Sequence, residues 1–430
     1  MARPLLHPIQ RMIPWLRRMG PLRSLALALI GSNLLFFGCV EWGQIHGLAT
    51  KPDQPVPAHE IDREIRVRLL GRTPRNNVQI TIMSPFSVTN AATGAVLLPD
   101  QPPAEDVYVR PSGESGIQIG PKIIPAVDIF ITPTRDASVV VNGQTYRGRL
   151  RVQRAASGLV MINHVDMESY LRGVLRGELP RNFQPESFKA QCVAARTYAL
   201  YQKQFNAADR FFDVYDDEGS QMYMGVRGED GVADRAVRDT TGEVCEYYDG
   251  HQSRLFCTYY SSTCGGLSQP VHNCKPNDPD VPPLSGNVEC NDCKDAKFYR
   301  WPTVTITRAE LTKKLTARYP NLRRLGTITD LTPRSKTSDG RIIKIEVAGS
   351  GGRDTLLGED FRLAIGGRVL KSTNFDIEKT RDGFAFKNGR GFGHGMGLCQ
   401  YGMDAKAKRG MNYREILQTY YPTALIKKLY

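Results

Sequence analysis

Residues 163–201 contain two helical patterns separated by a short break, and this arrangement constrains the fold more than any other part of the chain. The first pattern places apolar residues at helical spacing behind Asp166, a favourable N-cap residue, and we expect Gly177 to end that helix. The second begins at Pro185, which suits a first helical turn, and continues as an alanine-rich apolar stripe. The sequence therefore predicts two tightly packed helices joined by a rigid connector.

The connector reads Gly-Glu-Leu-Pro at residues 177–180. Glycine permits a left-handed backbone, and proline biases the residue before it toward an extended one. Such a connector would hold the carboxylate of Glu178 between two packed helices, where it could transfer a proton. The alternative is an exposed glutamate paired with a nearby arginine, because most charged loop residues are merely solvated. The arginines close in sequence are Arg172, Arg176 and Arg181.

These helices are part of a resemblance to a known family, the SpoIID/LytB family, whose sporulation member cleaves peptidoglycan glycan strands lytically. Four segments resemble that family's signature: YLRGVLRGELP (170–180), FKAQCVAARTYAL (188–200), YYSSTCGG (259–266) and GRGFGHGMGLCQYGMDAKAKRG (389–410). In the family the catalytic acid is the Glu of a Gly-Glu-(Leu or Met)-Pro turn. The resemblance therefore implies that Glu178 is the catalytic acid.

The resemblance also implies a glycan-binding groove. Its candidate sugar contacts are Gln221, Tyr223, Ser261, Ser262, Thr263, His394 and Gln400. Each has a structural alternative: tyrosine packs in cores, serine and threonine cap turns, and a neutral histidine satisfies local hydrogen bonds. The acidic loop at residues 213–218 could supply a second carboxylate or a Ca²⁺ site, but its spacing lacks regular oxygen ligands and favours a solvated turn.

The resemblance implies a mechanism that uses a single acid. Glycoside hydrolysis generally needs two carboxylates, whereas a lytic transglycosylase manages with one and needs no cofactor. Glu178 would protonate the glycosidic oxygen and then accept the proton of the muramic acid 6-hydroxyl, leaving a 1,6-anhydro end. Partial burial would raise the pKa of Glu178 for this role, although the nearby arginines would oppose that shift. A hydrolase and a noncatalytic wall-binding enhancer of an amidase are the alternatives, and the sporulation relative implies glycan strands stripped of stem peptides as the substrate.

Five cysteines between residues 257 and 293 predict either a metal site or disulfides. Thiolates on tight knuckles can converge tetrahedrally on zinc, and the leading ligand set is Cys264, Cys274, Cys290 and Cys293, with Cys257 and His272 in reserve. Disulfides are the rival, because they persist in oxidising compartments. Some family members carry a Cys/His metal site in this region, which favours a structural zinc ion. The absence of an HExxH motif argues against a zinc peptidase.

Every second residue of the glycine-rich segment (residues 389–397) is glycine. An extended backbone would place Arg390, Phe392, His394 and Met396 on one face and bare backbone on the other. We expect the bare face to contact the helix next to Glu178 or a bound sugar. The segment has neither the GxGxxG nor the GxxxxGK[ST] spacing of nucleotide-binding loops.

The net charge of +13 and a pI near 9.3 favour an anionic partner. Nucleic acid, anionic lipid and the carboxylate-bearing cell wall all qualify by charge. The family resemblance points to the cell wall, and we expect no nucleic-acid partner.

The order of the segments along the sequence predicts an exported α+β protein. Residues 1–42 carry a basic region followed by an apolar run, the layout of an export signal; a cleaved signal, a retained membrane anchor and a lipid-modified Cys39 are all compatible with it. A proline-containing linker follows at 43–62. We expect a smaller β-rich flank at 63–142, and at 143–430 a mixed, β-rich catalytic domain whose helices carry Glu178.

Overall fold

The computed structural model describes residues 62–135, 137–206 and 211–430, which belong to one compact unit. The export segment, Cys39 and nearly all of the linker predicted from the sequence lie outside the described residues. Within the described part, none of the helices combines the length and apolarity needed to cross a bilayer. The architecture is mixed α+β, as the sequence predicts.

Two large sheets form the β-rich part of the molecule. The first has the strand order β13-β1-β12-β11-β8-β3-β4 and the second β10-β9-β2-β5-β6-β7, and both contribute to one hydrophobic core. Apolar and polar residues alternate along several of these strands, so one face is buried and the other is solvated. Their bounds are β1 (Glu64–Leu69), β2 (Val78–Ile82), β3 (Phe86–Asn90), β4 (Val96–Gln101), β5 (Ala104–Ser112), β6 (Gly116–Ile119), β7 (Lys122–Ile124), β8 (Asp128–Pro133), β9 (Ser138–Val141), β10 (Gln144–Arg147), β11 (Arg149–Ala155), β12 (Gly158–Asp166) and β13 (Val214–Tyr215).

The boundary expected between residues 142 and 143 does not separate two domains. Asn142 and Gly143 both have positive φ and form the two-residue turn of the β9–β10 hairpin. Strand β1 pairs with β12 across the whole length of β1, so the flank and the catalytic part share one sheet. Local periodicity cannot reveal a pairing between strands about 100 residues apart, which is why the sequence suggested a separate flank.

Helices α1 to α3 cover the core beside these sheets, and the last two helices of the chain lie against α2. They are α1 (Met167–Glu178), α2 (Pro185–Asn206), α3 (Gly231–Asp239), α6 (Gln400–Lys408) and α7 (Tyr413–Tyr420). Smaller sheets complete this part, in the orders β15-β14-β26 and β16-β25. Their strands are β14 (Glu243–Tyr248), β15 (Ser253–Leu255), β16 (Tyr260–Ser261), β25 (Leu398–Cys399) and β26 (Leu425–Lys428).

Residues 301–387 form a second-core region with a hydrophobic core of its own. The sheets β18-β23-β22 and β19-β20-β21 and two helices surround that core. The chain enters and leaves the region through one antiparallel pair, β17 with β24. The elements are β17 (Arg300–Trp301), β18 (Val304–Thr307), α4 (Arg308–Arg318), β19 (Ile328–Lys336), β20 (Ile342–Gly349), β21 (Gly352–Leu357), α5 (Gly358–Ile365), β22 (Asp376–Lys379), β23 (Gly383–Lys387) and β24 (Gly389–Arg390).

Candidate active site

Glu178 is the last residue of α1, and the chain leaves the helix at once. Asp166 caps the start of α1 by accepting hydrogen bonds from two backbone N–H groups of the first turn, and Leu179 is extended at its end. The carboxyl group of Glu178 accepts a hydrogen bond at Oε1 from the backbone N–H of Met222, at 2.7 Å. Gln400 donates to Oε2 at 3.4 Å. Three segments distant in sequence therefore meet at this carboxyl group.

Gly177 does not end α1; it lies inside the helix. A Cβ at this position would lie 2.1 Å from the carbonyl oxygen of Met222. Four residues earlier, a Cβ on Gly173 would meet the ring of Tyr223 at 2.6 Å. The two glycines thus form a bare stripe on α1 that lets the 222–223 backbone approach closely enough to bond Glu178.

Burial raises the pKa of Glu178, and this outweighs the hydrogen bonds from Met222, Gln400 and Tyr260, which lower it. The arginines that the sequence places near it do not oppose the rise. Arg176 pairs with Asp230 at 2.8 Å, and Arg172 lies 3.7 Å from Asp234. Glu178 as a whole keeps a part-exposed edge. The site therefore favours the protonated form of this carboxyl group more strongly than water does.

Gln221 supports Tyr260 and, being buried, does not face solvent or a glycan. Its side chain is fully buried, and its Nε2 donates to the hydroxyl of Tyr260 at 2.9 Å. Tyr170 donates to its Oε1 at 2.9 Å. Tyr260, which the sequence analysis did not select, is the residue that this network orients toward Glu178. Tyr259 and Tyr260 are neighbours in sequence, and an extended backbone would point them to opposite faces, so the local pattern alone could not show which one faces the acid.

Tyr223 is a core residue, contrary to the expected sugar contact. It is 5% exposed, and its hydroxyl donates to the side-chain oxygen of Asn163 at 2.9 Å. Its ring lies against those of Tyr146 and Tyr170, with centroids 5.5 and 4.9 Å apart. This side chain has no free polar atom to offer a sugar.

Of the expected Ser-Ser-Thr contacts, only Ser262 is part-exposed. The Ser261 hydroxyl is buried and accepts a hydrogen bond from the backbone N–H of Gly395 at 3.3 Å. Thr263 is fully buried. Ser261 and Thr263 therefore help to build the site, whereas Ser262 remains available to a ligand.

The glycine-rich segment is not an extended strand with one bare face. Its glycines at 391, 393, 395 and 397 all have φ between 59° and 105°, the left-handed region that favours glycine. A Cβ at 393 would lie 2.6 Å from the Ser261 Cβ, and one at 397 would lie 2.2 Å from the Tyr259 carbonyl oxygen. The close neighbour is thus the 259–264 segment, where we had expected a helix or a sugar.

His394 is part-exposed and neutral in this setting. Its Nδ1 accepts a hydrogen bond from the backbone N–H of Met396 at 3.0 Å, which leaves the proton on Nε2. Burial lowers its pKa to about 4. The charge of Glu359 opposes this shift, and those of Arg362, Lys275 and Arg341 reinforce it. Its ring meets that of Tyr259 edge-on at 5.7 Å. Among the described residues, no hydrogen bond joins His394 to Glu178.

Four cysteines converge at the start of α6, where Cys399 directly precedes Gln400. Cys264, Cys290, Cys293 and Cys399 are all buried, and their sulfur atoms lie within 4.8 Å of one another. Three of them belong to the set predicted from the sequence; Cys399 replaces Cys274. The Cys274 thiol instead accepts a hydrogen bond from Gln269 at 3.0 Å. Sequence spacing missed Cys399 because it lies more than 100 residues beyond Cys293 and arrives through the parallel pairing of β25 with β16.

A large cavity lies away from Glu178, at the other end of α1. It has a volume of about 470 Å³ and is lined by residues that include Glu64, Arg149 and His164, beside the first turn of α1. Glu178 lies at the opposite end of this twelve-residue helix, about 18 Å away at a rise of 1.5 Å per residue. The contacts and burial of Glu178, and not the cavity, therefore define the candidate site.

The sequence of this chain matches a known family and several known proteins. Residues 155–247 match the family described as Stage II sporulation protein. An uncharacterized protein of Brachyspira hyodysenteriae is 31% identical over 281 residues, covering 65% of this chain and 72% of the relative. The Stage II sporulation protein D of Bacillus subtilis is 27% identical over 274 residues, covering 60% of this chain and 74% of the relative. The chain belongs to the SpoIID/LytB family. A further relative, the Amidase enhancer of Bacillus subtilis, is 28% identical over 298 residues, which covers 59% of this chain but 39% of that protein.

The match to the Stage II sporulation family covers α1, α2 and α3 and therefore includes Glu178. A second match, to a family described as Domain of unknown function (DUF8618), spans residues 284–397. It contains the second-core region and the whole glycine-rich segment. In this SpoIID/LytB protein residues 259–264 lie between the two matched stretches in sequence. They pack against the glycine-rich segment of the second stretch, and Tyr260 among them bonds Glu178 of the first.

Proposed function

We propose that this SpoIID/LytB protein cleaves the glycan strands of peptidoglycan as a lytic transglycosylase, with Glu178 as its single acid and base. Family membership indicates a cell-wall-related function, and the relatives' names link the family to sporulation and to amidase enhancement. The observation that carries the finer proposal is the environment of Glu178. Its carboxyl group is withdrawn from water, has a raised pKa and is held by neutral donors.

In this reaction protonated Glu178 donates its proton to the glycosidic oxygen as the bond to C1 breaks. The carboxylate then accepts the proton of the muramic acid 6-hydroxyl, whose oxygen closes onto C1 and leaves a 1,6-anhydro end. Met222 and Gln400 stabilise the carboxylate between the two steps, since both donate to it. Ser262, Tyr260 and His394 are the part-exposed groups available to position the sugar.

The acidic loop supports a mechanism with one carboxylate. Asp213 binds Arg66, and Asp216 accepts a hydrogen bond from the backbone N–H of Leu70 at 2.9 Å. Asp217 bonds within its own turn, to the backbone N–H of Gly219. These bonds engage the three aspartates of the loop within the protein. The loop therefore does not offer them as the second carboxylate that a hydrolase needs at about 5–9.5 Å from its acid.

A single substitution tests whether Glu178 is the catalytic acid. Glu178→Gln keeps the size of the side chain but cannot donate a proton, so cleavage of purified, peptide-free glycan strands should fall by about 10²–10⁴-fold. Glu105→Gln is the matched control, since Glu105 is exposed on β5 and should leave the rate unchanged. Unchanged release of anhydro-ended sugars by Glu178→Gln would refute the assignment.

The amidase-enhancer reading is the second candidate, favoured by the 28% identity to the protein of that name. It predicts that the wild type releases no sugars, binds the wall and raises the rate of a partner amidase. Assaying wild-type protein alone and together with a cell-wall amidase separates the two functions. An exported, cell-envelope location belongs to both proposals.

We also propose that Cys264, Cys290, Cys293 and Cys399 bind a structural zinc ion. A tetrahedral site with Zn–S bonds of about 2.3 Å needs sulfurs about 3.8 Å apart. The Cys264 and Cys293 sulfurs lie 3.7 Å apart, far beyond the S–S bond length of about 2.05 Å. Zinc at this position would join the strand that carries Tyr260 to the start of α6, which carries Gln400. The ion would thus hold the donors to Glu178 without touching substrate.

A further inference from the structure

The second-core region holds one side of the glycine-rich segment. The backbone N–H of Arg390 donates to the carbonyl of Asn374 at 2.9 Å, and that of Gly393 donates to the carbonyl of Lys371 at 2.7 Å. These hydrogen bonds place the segment along the edge of the second-core region.

Residues 261–263 hold the other side. Thr263 and Phe392 exchange two backbone hydrogen bonds, of 3.0 and 2.9 Å, and Gly395 donates to the Ser261 hydroxyl. The glycine-rich segment is therefore the seam between the second-core region and the part of the molecule that contains Glu178.

Arg341 reaches across this seam from the start of β20. Its side chain is fully buried, and its guanidinium donates from Nη2 to the carbonyl of Cys264 and from Nη1 to the carbonyl of His394, the latter at 3.5 Å. A Cβ on Gly395 would lie 2.6 Å from the guanidinium carbon, and one on Gly391 would lie 3.0 Å from Nη2. Glycine at these two positions makes room for the arginine.

The energetics of Arg341 argue against a role in packing alone. In the described residues the guanidinium forms no salt bridge and its Nε has no hydrogen-bond partner. The charge of Glu359 interacts with it from a distance, but that carboxylate is bonded by Arg362. Burying a charge in this way is costly, and a neutral side chain of similar volume would avoid that cost. What only a guanidinium supplies is a rigid set of donors that can hold two separate carbonyl groups at once.

We propose that Arg341 is a positioning residue through which the second-core region fixes the backbone of residues 391–395 and thereby the imidazole of His394. This gives the stretch that matches a domain of unknown function a role inside the site. The consequence for catalysis rests on the proposed function, whereas the placement of His394 does not.

The test compares Arg341→Met and Arg341→Lys with Ile345→Val in the full chain. Ile345 is fully buried on the same strand and belongs to the second core, so its truncation lowers stability without touching the seam. Nitrogen-15 NMR of the imidazoles, with His394 assigned through His394→Gln, reports the tautomer and hydrogen bonding of this histidine directly. On glycan strands, kcat and KM are measured separately.

The proposal expects Arg341→Met to shift the His394 imidazole signals and to lower kcat by about 10²-fold with little change in KM. Arg341→Lys keeps a single charged nitrogen in place of the guanidinium. Its imidazole signals and its kcat should lie between those of Arg341→Met and wild type. Ile345→Val should lower the melting temperature and leave the imidazole signals in place. Unshifted signals in Arg341→Met, or equal shifts in Ile345→Val, would overturn the proposal.

Should Arg341→Met fail to fold, the Lys variant decides by the same criterion. If the wild type cleaves no glycan, the NMR comparison still decides the placement of His394.

Discussion

Two buried glutamates show how neighbours decide the chemistry of one residue type. Glu178 and Glu359 are both withdrawn from water, and burial is the largest influence on each. Glu359 is bonded by both arms of the Arg362 guanidinium, so its pKa is lowered in spite of burial. Glu178 has only neutral donors, so its pKa is raised. Glu359 is therefore part of a structural ion pair, and Glu178 is an acid available for proton transfer.

The raised pKa of Glu178 predicts a cost in stability. A carboxyl group whose pKa is higher in the folded state contributes least to stability once pH exceeds that folded value. Glu178→Gln removes this ionisation, so the variant should unfold at a higher temperature than wild type at pH 8. The advantage should shrink as pH falls through the folded pKa toward the ordinary value of 4.5. Melting curves from pH 4 to pH 8 measure this, and a variant less stable than wild type at pH 8 would contradict it.

At the scale of elements, α1 is shaped by the segment that crosses it. Alanine is normally favoured over glycine inside a helix by roughly 1 kcal/mol. Gly177→Ala should nevertheless destabilise the protein and reduce cleavage, because its Cβ would collide with the Met222 carbonyl and push the donor away from Glu178. Gly231→Ala at the start of α3 is the control, since a Cβ there meets nothing within 4 Å. Gly177→Ala with wild-type stability and rate would show that the close approach is unnecessary.

The cysteine cluster makes a second prediction about elements. Purified protein should contain one zinc ion per chain, and elemental mass spectrometry measures this content. Cys399→Ser should lose that zinc and reduce activity, because the start of α6 would no longer be tied to residues 260–264. Cys274→Ser should retain it, since this thiol lies outside the cluster. Retention of zinc by Cys399→Ser and its loss from Cys274→Ser would favour the ligand set expected from the sequence spacing.

For the whole molecule, local patterns predicted much of the secondary structure, and long-range contacts decided the rest. The cap at Asp166 and the start of α2 at Pro185 lie where the sequence indicates. The second-core region went unrecognised because its helix and strand patterns resemble those around it, and a separate core is a property of packing. Tyr260 and Cys399 were missed for a related reason: each acquires its place from a strand pairing between segments about 140 residues apart.

The most direct test of the account is the chemistry of the ends that wild-type protein releases from peptide-free glycan strands. Mass spectrometry distinguishes a 1,6-anhydro-muramic end from a reducing end, because hydrolysis adds a water molecule. We expect anhydro ends with wild-type protein and almost none with Glu178→Gln. Reducing ends from the wild type would establish a hydrolase and contradict the single-acid mechanism at Glu178.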